Sequence, residues 1–383
     1  MIPYGKHDIT EEDINAVTAV LRSDYLTQGA VVPQFENAVA TVCGAQHAVA
    51  CNSATSALHS ACAALGVGVD DYVWTSAITF AASANCARYC GAKVDFVDID
   101  PRSYNISIDA LREKLSRAEQ CGTLPKVLIV VHFAGQCCDM AAVAALAQQY
   151  EFAVIEDAAH AIGGSYRSEP VGNCHYSDIT VFSFHPVKII TSGEGGMALT
   201  NNALLAEKMR LMRSHGITRK PELMTHSSEG EWYYQQLLLG HNYRMSDIHA
   251  ALGLSQLTRL QHYVAQRTGL AQRYAILLKD LPLVLPWQAP DSASAWHLYV
   301  VQLDCPQPRN AVFNALRKAG IGVNLHYIPV YHHPYYQALG FVKGHCPEAE
   351  KYYDRALTIP LFATMNETQQ QQVATALEMA VQS

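Results

Sequence analysis

Val127-Leu-Ile-Val-Val-His-Phe133 is a strongly apolar run, and Ala153-Val-Ile-Glu-Asp157 is a second, shorter one. Between them, Asp139 to Tyr150 carries the spacing of a helix. Strand, helix and strand in succession predict an α/β layer with a mainly parallel sheet. The alternation continues on both sides. Downstream, Asp178 to Phe184 and Met197 to Thr200 read as strands. Upstream, Val94 to Asp98 reads as a strand and Ser107 to Arg117 as a helix. His47 to Cys51 reads as a buried strand running into Asn52-Ser-Ala-Thr-Ser-Ala-Leu58, which opens a small-residue helix ending near Gly66. Thr10-Glu-Glu-Asp13 has the form of a capping box, and Ile14, Val17, Val20 and Leu21 are expected on one face of the helix it starts.

Beyond Ser246 the character changes. One long helical pattern runs through Leu252, Leu254, Leu257 and Leu260 toward Leu278. Pro282 and Pro286 follow, then a strand at His297 to Leu303, a helix at Arg309 to Ala319 and a last helix near Glu367 to Ala380. This predicts a large domain over 1–250 and a smaller α+β domain over 251–383, with the boundary between 245 and 285.

Composition excludes several classes. The chain has 383 residues, of which 50% are hydrophobic and only 16% charged, enough for a sizeable core. A net charge of -7 with no basic run leaves nucleic acid no electrostatic footprint. No apolar run approaches the roughly 20 residues of a membrane span, and the N-terminus lacks the basic-then-apolar pattern of a secretory signal. The 11 cysteines are odd in number and form no CxxC pair, which predicts reduced thiols, a cytoplasmic location and no metal site.

Four segments carry chemistry. Ser183-Phe-His-Pro-Val-Lys188 ends an apolar strand and sets one lysine on a turn before Gly193-Glu-Gly-Gly196. Ligands in open α/β sheets bind at strand carboxyl ends, and a lysine desolvated there becomes a nucleophile toward an aldehyde. A solvated loop lysine is the plain alternative. In Ile155-Glu-Asp-Ala-Ala-His160, Asp157 ends a buried strand and needs a cationic partner. A protonated pyridine nitrogen is one such partner, in a bond that contributes about 1.5–3 kcal/mol. His160 follows one turn along; a structural Asp with a satisfied His is the alternative. Asn52-Ser-Ala-Thr-Ser56 offers free N–H groups at a helix start to a phosphate, though Ser and Thr are also ordinary caps. Phe80 could stack on a flat ring or fill the core.

Taken together and in this order, these segments resemble the DegT/DnrJ/EryC1/StrS family of sugar aminotransferases, which have the fold-type-I pyridoxal-phosphate architecture. The resemblance includes Ile2-Pro-Tyr-Gly5, Leu26-Thr-Gln-Gly29, Glu156-Asp-Ala-Ala-His160, Gly193-Glu-Gly-Gly196 and Gly240-His-Asn-Tyr-Arg-Met-Ser-Asp247. It implies pyridoxal 5'-phosphate as cofactor and Lys188 as the Schiff-base lysine. It implies Asp157 on the pyridine nitrogen, with His160 (where many relatives have Gln) near the phenolic oxygen. Ser53, Ala54, Thr55 and Ser183 would hold the phosphate, Phe80 would stack on the ring, and Asn242 would reach the phosphate of a neighbouring subunit. A homodimer with shared sites follows. Tyr4, Tyr25, Leu26, Thr27, His326 and Tyr327 fall at substrate-contacting positions. Ser214-His-Gly-Ile217 and His326-Tyr-Ile-Pro-Val-Tyr-His-His-Pro-Tyr335 are similar to the branch acting in pseudaminic acid biosynthesis. That branch implies L-glutamate as amino donor and a UDP-linked 4-keto sugar as acceptor. GDP- or dTDP-linked sugars are the alternative, as is a non-catalytic regulator of the same fold. Relatives that are dehydratases carry His at the lysine position, which Lys188 argues against. His332-His333, among tyrosines and without a carboxylate or cysteine at ligand spacing, reads as a pocket wall or packing, not as a metal site.

Overall fold

The computed structural model describes residues 1–382. Its centre is a seven-stranded sheet. The strands are β1 (His47–Cys51), β2 (Tyr72–Ser76), β3 (Lys93–Val97), β4 (Val127–Val131), β5 (Ala153–Asp157), β6 (Ile179–Ser183) and β7 (Gly196–Thr200). Their spatial order is β1–β7–β6–β5–β4–β2–β3. The pairings from β3 to β6 are parallel, and β7 alone runs against its neighbours in this sheet. The sheet is buried on both sides, which is why its strands read as continuous apolar runs. Along β4, Leu128 and Val130 face one core, while Val127 and Ile129 face the other.

Helices cover both faces. They are α1 (Glu11–Leu21), α2 (Val31–Cys43), α3 (Ala54–Ala64), α4 (Ala82–Tyr89), α5 (Ile108–Cys121), α6 (Met140–Tyr150), α7 (Ala203–Arg213) and α8 (Asp247–Leu257). Phe35 of α2, Leu115 of α5, Val143 of α6 and Leu257 of α8 pack into one core. Leu58 of α3, Ala84 of α4 and Met209 of α7 pack into the other.

Two expectations change. The pattern from 247 to 278 is not one helix: it breaks at Thr258–Arg259 into α8 and α9 (Leu260–Leu277). At the break, Arg259 turns to the fully buried Asp13 of α1 at 2.6 Å. Ser255 Oγ and Gln256 Nε2 donate to the same carboxylate at 2.6 and 2.7 Å. Removing any of these partners would leave a buried carboxylate uncompensated, so the break is held by them. The same carboxylate also decides the face of α1. Asp13 and Val20 are buried, whereas Ile14 and Leu21 stay 48% and 57% exposed.

The chain after α9 builds a smaller layer. Strand β8 (Tyr299–Leu303) pairs antiparallel with β9 (Ala356–Ile359) and with Leu283–Val284. Helices α10 (Arg309–Lys318), α11 (Pro347–Arg355) and α12 (Glu367–Gln382) surround it. Leu260 and Tyr263 of α9 belong to the sheet's core, and Ala271 and Tyr274 to the smaller one. The N-terminus reaches back to this layer, since Ile2 bridges Ile321.

Among the described residues no helix is long and apolar enough to cross a membrane. All 11 cysteines are free.

Candidate active site

A cavity of about 680 Å³ opens at one edge of the sheet. The parallel strands deliver their carboxyl ends there. Asp157 ends β5, Ser183 ends β6, and Asn52–Ser53 follow β1. Reversed β7 enters from the same edge, with Gly196 in register between Cys51 and Ser183. A Cβ on Gly196 would overlap the Ser53 carbonyl and the Ala54 nitrogen, so the Gly193–Gly196 turn lets β7 close against the start of α3.

Lys188 lines this cavity, held by its backbone N–H to the His185 carbonyl at 2.9 Å. Burial lowers its amine from 10.5 to about 8, and the opposing pull of Asp157 is smaller. Asp157 is 5% exposed. Ser83 Oγ donates to its Oδ2 at 2.6 Å and the Ala159 N–H to its Oδ1 at 3.2 Å. Among the described residues no cationic side chain pairs with it.

His160 lies beside His297 and Tyr327, with ring centroids 4.4 and 6.1 Å away. Burial, then the charge of Lys188, holds His160 well below the usual histidine range. Burial and the neighbouring His160 do the same to His297. Burial and Lys188 lower His326 to about 3. Lys188 therefore faces neutral imidazoles. The orientation of His326 follows from its neighbours. The Leu325 N–H donates to Asn324 Oδ1 at 2.8 Å, which turns the Asn324 amide nitrogen toward His326 Nε2 at 3.4 Å. Nδ1–H of His326 is left to donate to Thr358 Oγ1 at 2.8 Å.

The residues fit pyridoxal phosphate on structural grounds. A buried carboxylate without a cation suits a pyridinium nitrogen. The first turn of α3 leaves the Ala54 and Thr55 N–H groups without intrahelical acceptors, beside the Ser53 and Ser183 hydroxyls, as a phosphate requires. Phe80 is 62% exposed and lines the cavity, so it is not core filler.

Lys188, Ser53, Ala54, Thr55, Phe80, Asp157, His160, Ser183, Tyr4, His326 and Tyr327 all line this one cavity. Tyr25, Leu26, Thr27 and Asn242 do not. Tyr25 and Leu26 are exposed, Thr27 bridges Ser246, and Asn242 bridges Ser214. The Asn242 carbonyl accepts from Asn52 Nδ2 at 3.4 Å, which puts its backbone behind the phosphate cup of its own chain. Sequence reasoning missed Ser83, Thr79, His185, Glu194, His297 and Asn324. Ser83 and Thr79 had a signal as hydroxyls near Phe80, and His185 and Glu194 as members of the motifs around Lys188. His297 and Asn324 come from the smaller layer, and nothing local marks them. His333 lines the cavity, while His332 instead meets Glu350 at 3.1 Å. That carboxylate, invisible at sequence spacing, also accepts from Tyr331 Oη and the Gly344 N–H at 2.6 Å each. It is a hydrogen-bond hub, and no metal-ligand cluster occurs among the described residues.

Comparison with known proteins agrees with this geometry. The model of the DegT/DnrJ/EryC1/StrS aminotransferase family matches residues 7–378. The spore coat polysaccharide biosynthesis protein SpsC of Bacillus subtilis is 40% identical over 96% of this chain and 93% of its own. The UDP-4-amino-4,6-dideoxy-N-acetyl-beta-L-altrosamine transaminase of Campylobacter jejuni (serotype O:2) is 38% identical over 96% and 94%. Helicobacter pylori PseC, an aminotransferase involved in pseudaminic acid biosynthesis, superposes with a TM-score of 0.90 at 30% identity, over 100% and 99% of the two chains. A putative sugar aminotransferase of Streptococcus pneumoniae, Spr1654, superposes in its PMP-form with a TM-score of 0.92 at 27% identity, over 100% and 99%.

Proposed function

Because the chain belongs to the DegT/DnrJ/EryC1/StrS aminotransferase family, we propose that it is a pyridoxal-phosphate enzyme moving the amino group of L-glutamate to C4 of a UDP-linked 2-acetamido-2,6-dideoxy-hexos-4-ulose. The observation that carries the chemistry is that Lys188, its amine lowered by burial, and Asp157, a buried carboxylate without a cation, line one cavity. When bound, the cofactor supplies a reactive aldehyde and an electron sink.

The protein's own residues do the rest. Asp157 would keep the ring nitrogen charged, and Ser83 holds Asp157 in place. The Ser53–Thr55 turn and Ser183 would hold the phosphate, and Phe80 would pack against the ring. With the cofactor bound, Lys188 would be the residue that takes and returns the proton of the reacting carbon. An amine titrating near 8 can give and take that proton at working pH. Tyr4, His326 and Tyr327 line the same cavity and are the proposed sugar contacts. A homodimer in which Asn242 of each subunit reaches its partner's phosphate site rests on the family likeness.

The UDP-linked sugar rests on the likeness to the Campylobacter and Helicobacter proteins and to the pseudaminic acid branch. SpsC, at slightly higher identity, favours a second reading: the same chemistry on another nucleotide-linked keto sugar. The purified protein should be yellow, and L-glutamate should bleach its visible band. Incubation with UDP-, GDP- and dTDP-linked 4-keto sugars, read by product mass, decides the acceptor. Amination of only the GDP- or dTDP-linked sugar refutes the UDP assignment. Turnover unchanged in Lys188→Ala refutes the chemistry.

A further inference from the structure

The polarity of one hydrogen-bond chain at the cavity wall can be read from its backbone end. Strand β4 leaves the sheet through a short 3-10 turn, Phe133–Gly135, in which Ala134 has φ 57°. This turn aims the Ala134 N–H at His160 Nδ1, 3.2 Å away. An amide N–H can only donate, so Nδ1 must be the unprotonated nitrogen, and the single proton of a neutral imidazole sits on Nε2. Nε2 lies 3.2 Å from the Tyr327 hydroxyl. With the ring proton pointing at it, the Tyr327 oxygen accepts. The tyrosine's own proton is then free to turn toward the cavity that both residues line.

The turn is itself tied down from the smaller layer. The His297 N–H donates to the Ala134 carbonyl at 2.9 Å, and the Ala295 N–H to the Gly135 carbonyl at 3.1 Å. A Cβ on Gly135, at φ 106°, would meet the Trp296 nitrogen at 2.8 Å and the His160 carbonyl at 3.0 Å. Residue Ala134 thus touches both layers, the smaller one through its carbonyl and the other through its N–H. The titratable groups facing His160 are Lys188, His297, His326 and Tyr327, and Asp157 acts on Tyr327.

We propose that the Ala134 peptide is a positioning group that fixes His160 as an Nε2–H donor. The chain Ala134 N–H, His160 Nε2–H, Tyr327 O–H then donates toward the cavity at every link. An electron-rich oxygen of the cofactor or substrate is its complement, met by the Tyr327 O–H, because the single ring proton of His160 is already given to Tyr327. The identity of the cofactor rests on the functional reading above; the direction of the chain does not.

The test has two arms on the full-length protein. In the first, protein carrying 15N-labelled histidine is compared with His160→Gln to assign the His160 signal, with and without pyridoxal phosphate. The expected ring is neutral near pH 7, with a pyridine-type Nδ1 and a pyrrole-type Nε2 in both states. A pyrrole-type Nδ1, or an imidazolium, overturns the proposal. In the second arm, the pH midpoint of the visible cofactor band is followed. His160→Gln keeps a donor at the Nε2 position, whereas His160→Asn offers an amide only near Nδ1. The Gln variant should stay near wild type, and the Asn variant should move up by about one pH unit. Equal displacement of both overturns the positioning role. Failure to bind pyridoxal phosphate at all counts against the functional reading, and the first arm still decides the tautomer without it.

Discussion

The Ser83 hydroxyl donates to Asp157 Oδ2 at 2.6 Å from a helix on the neighbouring part of the sheet. Ser83 Oγ also lies 2.7 Å from Thr79 Oγ1, so the carboxylate at the cavity floor is oriented by a pair of hydroxyls. Ser83→Ala removes the direct donor to a buried charge, a bond of about 1.5–3 kcal/mol. Pyridoxal phosphate affinity should fall roughly tenfold to a hundredfold. Fluorescence titration with the cofactor measures this, and unchanged affinity would show that Ser83 is only packing.

The lowered amine of Lys188 gives a pH signature with a definite sign. The folded protein holds the neutral amine in preference to the charged one, from about 8 up to the ordinary 10.5. The unfolded chain binds more protons in that window, so this residue's contribution to stability rises with pH through it. Below about 8 the cofactor-free protein carries the cost of a buried ammonium, up to about 3 kcal/mol. Lys188→Met should therefore be the more stable protein at neutral pH, with its advantage shrinking as pH rises toward 10.5. Urea unfolding of the two cofactor-free proteins across that range is the measurement. A gap independent of pH would contradict the buried-amine reading.

Asp247 is fully buried and caps two segments at once. Its Oδ2 accepts from the Gly29 N–H at 2.6 Å, and its Oδ1 from the Val31 and Val32 N–H groups at 3.0 and 2.9 Å. The Leu26-Thr-Gln-Gly29 and Met245-Ser-Asp247 motifs are thus one structural unit. Asp247→Ala leaves these donors without their acceptor and should lower stability by about 3 kcal/mol or more, seen as a lower denaturant midpoint.

Shared sites can be tested by mixing. Lys188→Ala and Asn242→Ala should each be poorly active. If Asn242 serves the partner's phosphate cup, dimers formed from both variants regain one intact site in two. Co-folded equal amounts should recover about a quarter of wild-type activity. No recovery in verified mixed dimers would place Asn242 in the service of its own chain.

The parallel layer was legible because its strands are buried on both faces. Val127 to Val131 cannot be anything but a central strand once helices flank it. Lys188, Asp157 and the Asn52–Ser56 turn were legible too, since each sits beside the carboxyl end of a strand that periodicity locates. The α1 face and the 258–259 break were not. Both hinge on Asp13 meeting Arg259, residues 246 apart in sequence. The sequence alone therefore determined the sheet and the side chains its carboxyl ends present, because strand periodicity and strand ends are local properties. Only the tertiary structure decided which way those side chains point. The smaller layer's His297, Asn324 and His326 reach the cavity, and the Ala134 turn orients His160 from behind it, through hydrogen bonds whose partners no local spacing joins.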